Sequence, residues 1–255
     1  MHSSIPKAAV SLFILAGLTT GLAQQAEPLK IKLDTTYVFT RGDYGLPENT
    51  NVSLFMVNPT LETDDWRLQA SIPYVRLHGP ASVVGNTGSS TLVSRSTHGL
   101  GDITLSIAGK LKPNSDGWAS EVSAKLKLPT ADDAKGLGTG KTDTMVQWDV
   151  FKRGGTITPF ATLGYQFLGR STSYPMKNGA YATAGLAGQA SPDVTLGVAG
   201  NWRQPIVEGG KSGVEAMAFV QDKLSEQSRI QAFVLHGFTD SSPTIAVGLT
   251  FGYSF

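Results

Sequence analysis

The stretch Thr244-Ile-Ala-Val-Gly-Leu-Thr-Phe-Gly-Tyr-Ser-Phe255 decides the fold of this chain. Its large side chains fall on every second position, from Ile245 to Phe255, and small or polar residues fill the positions between them. A strict period of two predicts a β-strand with one apolar face and one polar face. In a soluble sandwich a second sheet would bury the apolar face. The sequence stops on the aromatic residue itself, so we expect this face to contact lipid.

The composition narrows the class of protein. The chain has 255 residues, a net charge of +1, 16% charged residues and 29 glycines. Charged residues make up about a quarter of an average soluble domain, so the low fraction argues against a highly charged soluble enzyme. A net charge this small implies no nucleic-acid partner. The absence of cysteine excludes disulfides, thiolate metal sites and thiol nucleophiles.

The first residues have the organisation of a secretory signal peptide. Lys7 supplies a positive charge, residues 8–18 form an apolar segment too short to cross a bilayer, and Gly21 and Ala23 suit a cleavage site. We expect residues 1–23 to be a signal peptide and residues 24–255 to form the barrel described below; the alternative is an uncleaved anchor. Since no later segment reaches the roughly 18 apolar residues of a transmembrane helix, we expect export to the outer membrane of a Gram-negative cell.

Strand patterns continue from residue 29 to the end of the chain. About twelve segments alternate with period two, and short turns and longer Gly/Ser-rich loops join them in alternation. This predicts an all-β fold, a transmembrane antiparallel up-and-down β-barrel. Residues 31–39 are expected to pair with the last strand, because an open edge cannot survive in lipid. Turns are expected at residues 41–51 and 58–65 and a long loop at residues 79–97. The pattern of residues 52–58 predicts a strand but does not show which of its faces points inward.

Charged residues share one face of the predicted strands, opposite the apolar face. A Lys or Arg on the lipid face near the midplane costs about 2–4 kcal/mol, so a membrane barrel requires this one-sidedness, although a soluble sandwich would show it too. We expect the inward side chains to line a lumen that is polar on the early strands and apolar on the later ones. The candidate lumen-lining residues are Lys30, Lys32, Arg67, Asp102, Lys110, Glu121, Lys125, Lys127, Asp143, Phe160, Arg203, Glu215, Phe219, Arg229 and Phe233.

Aromatic residues favour the barrel over the sandwich, because they are predicted to gather at both ends of the strands, as in the two interfacial girdles of a barrel. The periplasmic girdle would hold Trp66, Trp118, Trp148 and Phe255, and the outer girdle would hold Phe39, Tyr74, Phe167, Tyr181, Trp202 and Phe238. Barrels of about eight strands are filled by side chains and those of about sixteen leave an open channel. We therefore expect a narrow or partly occluded lumen.

Several motifs resemble one family of bacterial outer-membrane barrels, labelled "MetA-pathway of phenol degradation" or simply transporter. They are Gly99-Leu-Gly-Asp102, Lys127-Leu-Pro-Thr130 followed by Gly136-Leu-Gly-Thr-Gly-Lys-Thr-Asp143, and Thr158-Pro-Phe-Ala-Thr-Leu-Gly-Tyr-Gln-Phe-Leu-Gly169. The resemblance covers residues 66–255. It implies an association with catabolism of aromatic compounds and uptake across the outer membrane, and it supplies no catalytic residue.

The last residues also resemble the C-terminal signal of bacterial outer-membrane barrels, through Phe251, Tyr253 and Phe255. The resemblance implies recognition by the outer-membrane assembly machinery. Deletion of Phe255 is therefore expected to impair assembly rather than transport.

Other motifs have simpler interpretations than the sites they suggest. Residues 136–142 lack the glycine that a phosphate-binding loop needs at position 135, and neither a buried strand nor a helix flanks them. Arg41-Gly-Asp43 matches an adhesion tripeptide that is frequent by chance. Asp64-Asp65 and Asp132-Asp133 fall in opposite classes of connection, so they cannot form one metal site. We expect no metal and no cofactor.

An embedded lipid hydrolase is an alternative that the histidines raise. A serine nucleophile needs a base within hydrogen-bond reach and a third group that orients the base. Ser96 and His98 lie where the long loop is expected to end, without a visible orienting partner, and His236 has lipid-face parity. We therefore expect a protein that is not an enzyme.

The sequence thus predicts a monomeric, porin-like outer-membrane barrel for passive uptake or binding of small hydrophobic or aromatic solutes. The expected partners are the solute, the assembly machinery, and outer-membrane lipid with lipopolysaccharide. A structural or interaction barrel with a plugged lumen is the alternative.

Overall fold

The computed structural model of the chain describes residues 29–81, 95–170 and 176–255. The predicted signal peptide and most of the predicted loop at residues 79–97 lie outside these residues. The strands are β1 (Lys30–Gly42), β2 (Thr50–Glu62), β3 (Trp66–Gly79), β4 in two segments (Arg95–Leu100 and Thr104–Leu111), β5 (Trp118–Lys127), β6 (Asp143–Lys152), β7 (Ile157–Phe167), β8 (Gly179–Gln189), β9 (Val194–Arg203), β10 (Gly213–Lys223), β11 (Ser228–Gly237) and β12 (Ile245–Ser254). In the described part of the chain, no helix is long and apolar enough to cross a membrane.

The strands form a closed antiparallel barrel in which each strand pairs with its neighbours in sequence. β1 and β12 close the barrel in a register that runs from Lys32 opposite Ser254 to Arg41 opposite Ile245. This confirms the predicted fold class and the predicted closing pair. Closure satisfies the backbone hydrogen bonds of both edge strands, which a lipid environment requires.

The connections differ at the two ends of the barrel. At one end, which we call the turn end, connections of three to six residues join the strands, and β1 begins and β12 ends there. At the other end, which we call the loop end, the connections are seven to fifteen residues long. Short turns at one end and long loops at the other are typical of outer-membrane barrels.

Alternating residues face the two sides of the wall. Large apolar side chains are exposed on the outer face of every strand, as with Leu105, Val146 and Leu163. The charged residues Glu121 and Asp143 are buried on the inner face. A soluble protein would cover such apolar side chains, whereas lipid solvates them.

β2 is longer than the sequence predicts. The expected turn at residues 58–65 is wrong, because the strand continues through Pro59, which faces Leu33, as far as Glu62. Pro59 points outward and is exposed. The inner face of β2, which the sequence leaves open, is formed by the even-numbered residues, including Val52 and Met56. The expected turn at residues 41–51 likewise shrinks to residues 43–49.

A bulge divides β4. Tyr74 faces Leu100 and Ser71 faces Thr104, so two residues of β3 oppose the three residues 101–103. One extra residue exchanges the two faces of a strand. Before the bulge the even-numbered residues point outward, and after it the odd-numbered residues do. The loop predicted at residues 79–97 ends before residue 97, because the pairing with β3 already begins at Arg95.

Two of the predicted girdle residues are misplaced. Tyr181 is buried, and its hydroxyl donates to Gln147 Oε1 at 2.9 Å on the inner face. Trp148 does point outward, but it faces Val122 and Leu163, four positions before the end of β6 at Lys152. The prediction for Tyr181 is wrong because small residues occupy both faces of β8, so the hydrophobic pattern does not show which face points inward.

Candidate functional site

The inner face carries a band of residues, apolar except for Thr40, that spirals between the two ends of the barrel. Each of its residues is the direct partner of the next on the neighbouring strand. The row runs from β3 through β2 and β1 to β12, and then back along the chain to β6. In that order, this apolar track consists of Leu77, Val52, Thr40, Ala246, Leu235, Met217, Ala199, Gly185, Phe160 and Phe151. Barrel strands tilt by about 35–45°, so a row of direct partners runs obliquely to the barrel axis. The track therefore begins near the loop end of β3 and finishes near the turn end of β6.

A second apolar row widens this track on its turn-end side. In the same direction, from β3 through β1 and β12 to β8, the row contains Val75, Leu54, Val38, Gly248, Phe233, Phe219, Gly197 and Ala187. The two rows meet in shared clusters, and Phe233 packs against both. Ten neighbouring strands thus contribute to one continuous apolar surface.

Aromatic rings in the interior lie over glycines. Phe160 faces Gly185, Phe219 faces Gly197, and Phe233 faces Gly248, each as a direct partner. Tyr181 likewise faces Gly164. A Cβ atom added at any of these four glycines would come closer than 3.0 Å to the ring. The rings therefore lie flat against the wall instead of projecting across the lumen.

A polar row borders the apolar track on its loop-end side. From β4 to β10, this polar track consists of Lys110, Glu121, Asp149, Thr162, Thr183, Asn201 and Glu215. Thr162 donates to Asp149 Oδ1 at 2.5 Å, and the Thr183 hydroxyl donates to Asn201 Oδ1 at 2.8 Å. A solute on the apolar track would have hydrogen-bonding groups at its edge.

Ion pairs neutralise most of the inward charges near the turn end. Glu62 accepts from Lys32 at 2.6 Å and also from Lys110. Arg67 pairs with Glu121 in the same way. Arg229 Nη2 donates to Asp34 Oδ1 at 2.8 Å, across β12. Gly252 makes that contact possible, since a Cβ there would meet both side chains.

Lys125 has no carboxylate within ion-pair distance in the described part of the chain. Its Nζ donates to Gln147 Oε1 at 2.8 Å, and Gln147 donates in turn to Asp149. The hydroxyl of Tyr181 shares the same oxygen of Gln147. This network places a lysine and a tyrosine beside the polar track.

Near the loop end, two clusters of charge hold the loops. Lys127 Nζ lies 2.7 Å from Asp102 and 2.7 Å from Asp143. Arg203 and Glu215 are both buried and pair at 2.5 Å, and Arg203 also donates to the carbonyl oxygen of Ser241 in the connection between β11 and β12. These pairs tie the loops to the barrel wall.

The glycine-rich motif at residues 136–142 covers the loop end of the apolar track. Leu137 is buried among Val75, Leu77 and other track residues. Gly138 packs against Asp102 and Ala131, where a Cβ would approach within 3.0 Å. Gly140 has a φ of 63°, in the left-handed region that favours glycine. The glycines therefore let the loop fold into the barrel mouth.

Tyr44 is a second buried side chain at the loop end. It lies in the connection between β1 and β2, is fully buried, and packs with Leu46 and Ala81. Burial raises the pKa of Tyr44 to about 12. Its phenol is therefore neutral and buried among the side chains at the loop end.

The structure brings together most of the predicted lumen residues. All of them lie on the inner face or at its rim, where Lys30 is half-buried. The expected division into a polar early wall and an apolar later wall is incomplete, because Val38, Leu54 and Leu77 are apolar and lie on early strands. The sequence prediction missed Glu62 because it lay in a predicted turn. It also missed Tyr181, for want of a parity signal, and Leu137, which lies in a loop.

The residues considered for a lipid hydrolase, Ser96 and His98, lie on the outer face. Ser96 and His98 are exposed on the outward side of β4, in a strand rather than in the expected loop. Residues 29–81, 95–170 and 176–255 contain no group of three His, Cys, Asp or Glu side chains that could hold a metal ion. The predicted assembly signal also faces outward: Phe251 and Phe255 are exposed, and the Tyr253 and Phe255 rings lie 4.9 Å apart.

Similar structures come from outer-membrane barrels. The outer-membrane channel from Pseudomonas putida F1 has a TM-score of 0.71 at 15% identity, over 95% of this chain and 100% of that one. The KdgM porin has a TM-score of 0.57 at 9% identity, over 88% and 99%. The β domain of the Bordetella autotransporter BrkA has a TM-score of 0.55 at 12% identity, over 89% and 100%. These likenesses support the fold.

The sequence comparison identifies a family. No curated protein matches the chain. Residues 34–255 match the family described as "Putative MetA-pathway of phenol degradation", so the match extends further upstream than the motifs of the sequence analysis. The match covers most of the sequence, and the chain belongs to this family.

Proposed function

We propose that this chain is an outer-membrane channel for passive uptake of small hydrophobic or aromatic solutes. The turn end would face the periplasm and the loop end the outside, since outer-membrane barrels have short periplasmic turns and longer extracellular loops. The observation that carries the proposal is the apolar track, which extends from one end of the barrel to the other. The family description, which refers to phenol degradation, supports the same class of solute.

The two tracks together suit solutes that are apolar with one polar edge. A phenol-like ring could pack against Phe160 and Met217, while its hydroxyl bonds to the side chains of Thr183 or Asn201 on the neighbouring row. Inward charges are largely paired, so the interior offers little net attraction for ions. The mechanism is diffusion, and none of its steps requires covalent chemistry.

A flux measurement in liposomes tests this function. We expect phenol to enter wild-type vesicles faster than a polar solute of similar size. Met217→Gln, which places an amide on the apolar track, should slow phenol more than the polar solute. Met145→Gln is the matched control, because Met145 faces Lys125 and lies outside both apolar rows. A folded, heat-modifiable barrel that passes neither solute would contradict the proposal.

The second candidate is a barrel with a plugged lumen and a structural or interaction role. One observation favours it: Leu137 and Tyr44 are both buried at the loop end. If the plug is permanent, wild-type vesicles will show no flux, and removal of these side chains will be needed before any solute passes.

A further inference from the structure

Charged and imidazole side chains are rare on the outer face, yet four of them gather at one place. Arg41, Arg76, His78 and His98 are all exposed on the outward side of β1, β3 and β4, near the loop end. Arg41 and His78 face the same residue of β2, Asn51. Arg76 lies between Ser53 and His98 one row below. We call these four residues the basic patch.

An aromatic row lies directly beneath the basic patch. Tyr37, Phe55 and Tyr74 are consecutive partners on β1, β2 and β3, and each is about half exposed to the outside. The ring of Tyr74 is 6.3 Å from that of His98. An outward charge is costly near the bilayer midplane and costs little near the membrane surface. The basic patch, which lies nearer the loop end than the aromatic row, would therefore lie at headgroup level in the outer leaflet.

The basic patch has no counter-charge in the part of the chain that the structure describes. Residues 29–81, 95–170 and 176–255 provide no ion pair and no side-chain hydrogen bond to any of the four. The nearest acidic residue in the sequence, Asp43, accepts from the backbone N–H of Gly45 at 2.9 Å. The inward arginines, in contrast, each have a carboxylate partner.

We propose that the basic patch binds the phosphate groups of lipopolysaccharide. Guanidinium groups match phosphate oxygens with two parallel hydrogen bonds, and imidazole N–H groups supply further donors. The acyl chains of the lipid would lie along the exposed apolar surface below, over Phe55, Tyr74 and Ile72. Clusters of basic residues beside a membrane surface recognise anionic lipids for the same reason. This inference rests on the outer-membrane location proposed above.

Native mass spectrometry of the purified barrel in detergent tests the inference, because it measures how much lipopolysaccharide binds to each variant. Arg41→Gln/Arg76→Gln should weaken binding by about 30-fold, since each arginine near an anionic lipid surface contributes about a factor of five. Lys152→Gln is the matched control, because Lys152 is an exposed, outward residue at the turn end of β6. It should retain the wild-type affinity. Inorganic phosphate should compete only weakly, and a dephosphorylated lipid should bind poorly to the wild-type barrel.

The inference is overturned if the double variant binds lipopolysaccharide as tightly as wild type, or if the dephosphorylated lipid binds equally well. Heat-modifiability on a gel shows that each variant is folded. Solute flux is measured on the same preparations and should not change, because the basic patch lies outside the lumen. Flux without lipid binding contradicts this inference alone, and lipid binding without flux contradicts the proposed channel function alone.

Discussion

The ring of Phe233 lies over the backbone of Gly248, its direct partner on β12. The same arrangement recurs at Phe160 and Phe219. A glycine opposite each ring leaves room for a large apolar side chain to lie against the barrel wall. The width of the proposed path therefore depends on residues that contribute no side chain to it.

Gly248→Val should narrow the channel. The added Cβ would lie closer than 3.0 Å to the Phe233 ring, so the ring must swing into the lumen. We expect lower phenol flux and a loss of about 1–3 kcal/mol of stability from overpacking. Gly200→Val is the control, since Gly200 points outward and a Cβ there meets nothing within 4 Å. Liposome flux and thermal unfolding measure both effects, and unchanged flux in the Gly248 variant would contradict the path.

Leu137→Ser should open the loop end. Leu137 is buried over the start of the apolar track, and a hydroxyl at that position would favour a loop that swings out into water. We expect a several-fold increase in single-channel conductance. Leu224→Ser, in an exposed turn at the other end, should leave conductance at the wild-type value. Equal conductance in wild type and Leu137→Ser would show that this loop does not limit the path.

Arg203→Met should destabilise the barrel. It leaves Glu215 buried without its cation, and breaking a buried pair costs about 3–5 kcal/mol. The double variant Arg203→Met/Glu215→Leu should recover much of the loss, because no uncompensated charge remains. Lys211→Met removes an exposed pair with Asp240 and should change stability by less than about 1 kcal/mol. Unfolding temperatures in detergent measure the stability of the three variants. A double variant that unfolds at the same temperature as Arg203→Met would contradict this account.

Tyr44 should make the barrel sensitive to alkali. Burial raises its pKa to about 12 from the usual 10.0, so the folded state holds the proton at a pH where the unfolded chain releases it. The resulting stability is fully present below pH 10 and is lost as the pH rises towards 12, by at most about 3 kcal/mol. Tyr44→Phe should remove this part of the pH dependence. Unfolding midpoints of both proteins between pH 9 and 12 measure it, and parallel curves would contradict the prediction.

The alternation of Ile245 to Phe255 was enough to predict a barrel and its closing strand, because lipid demands one apolar face on every strand. The same rule placed Lys127 and Glu121 on the inner face. It failed at Tyr181, where alanine and glycine occupy both faces of β8 and give no contrast. It also left β2 short, since Pro59 marks a turn in most contexts but is tolerated here as an outward strand residue.

The details of the site depend on register, which a single strand does not reveal. Neither Phe160 nor Gly185 alone indicates that one lies over the other. The bulge at residues 101–103 likewise adds one residue that no composition signal marks. Glu62 joins Lys32 to Lys110 only because four neighbouring strands, β1 to β4, share one alignment. Spacing along the chain therefore predicts faces, whereas contacts between strands had to come from the structure.

The pairing of β1 with β12 also determines the order of folding. The hydroxyls of Thr36 and Thr250 lie 2.9 Å apart in the barrel but are 214 residues apart in sequence. Contacts of such long range form late, because loop-closure entropy must be overcome before they contribute. β1 must therefore remain unpaired on one edge until β12 joins the barrel. During that interval the chain exposes an unpaired apolar edge, which favours aggregation until the barrel closes.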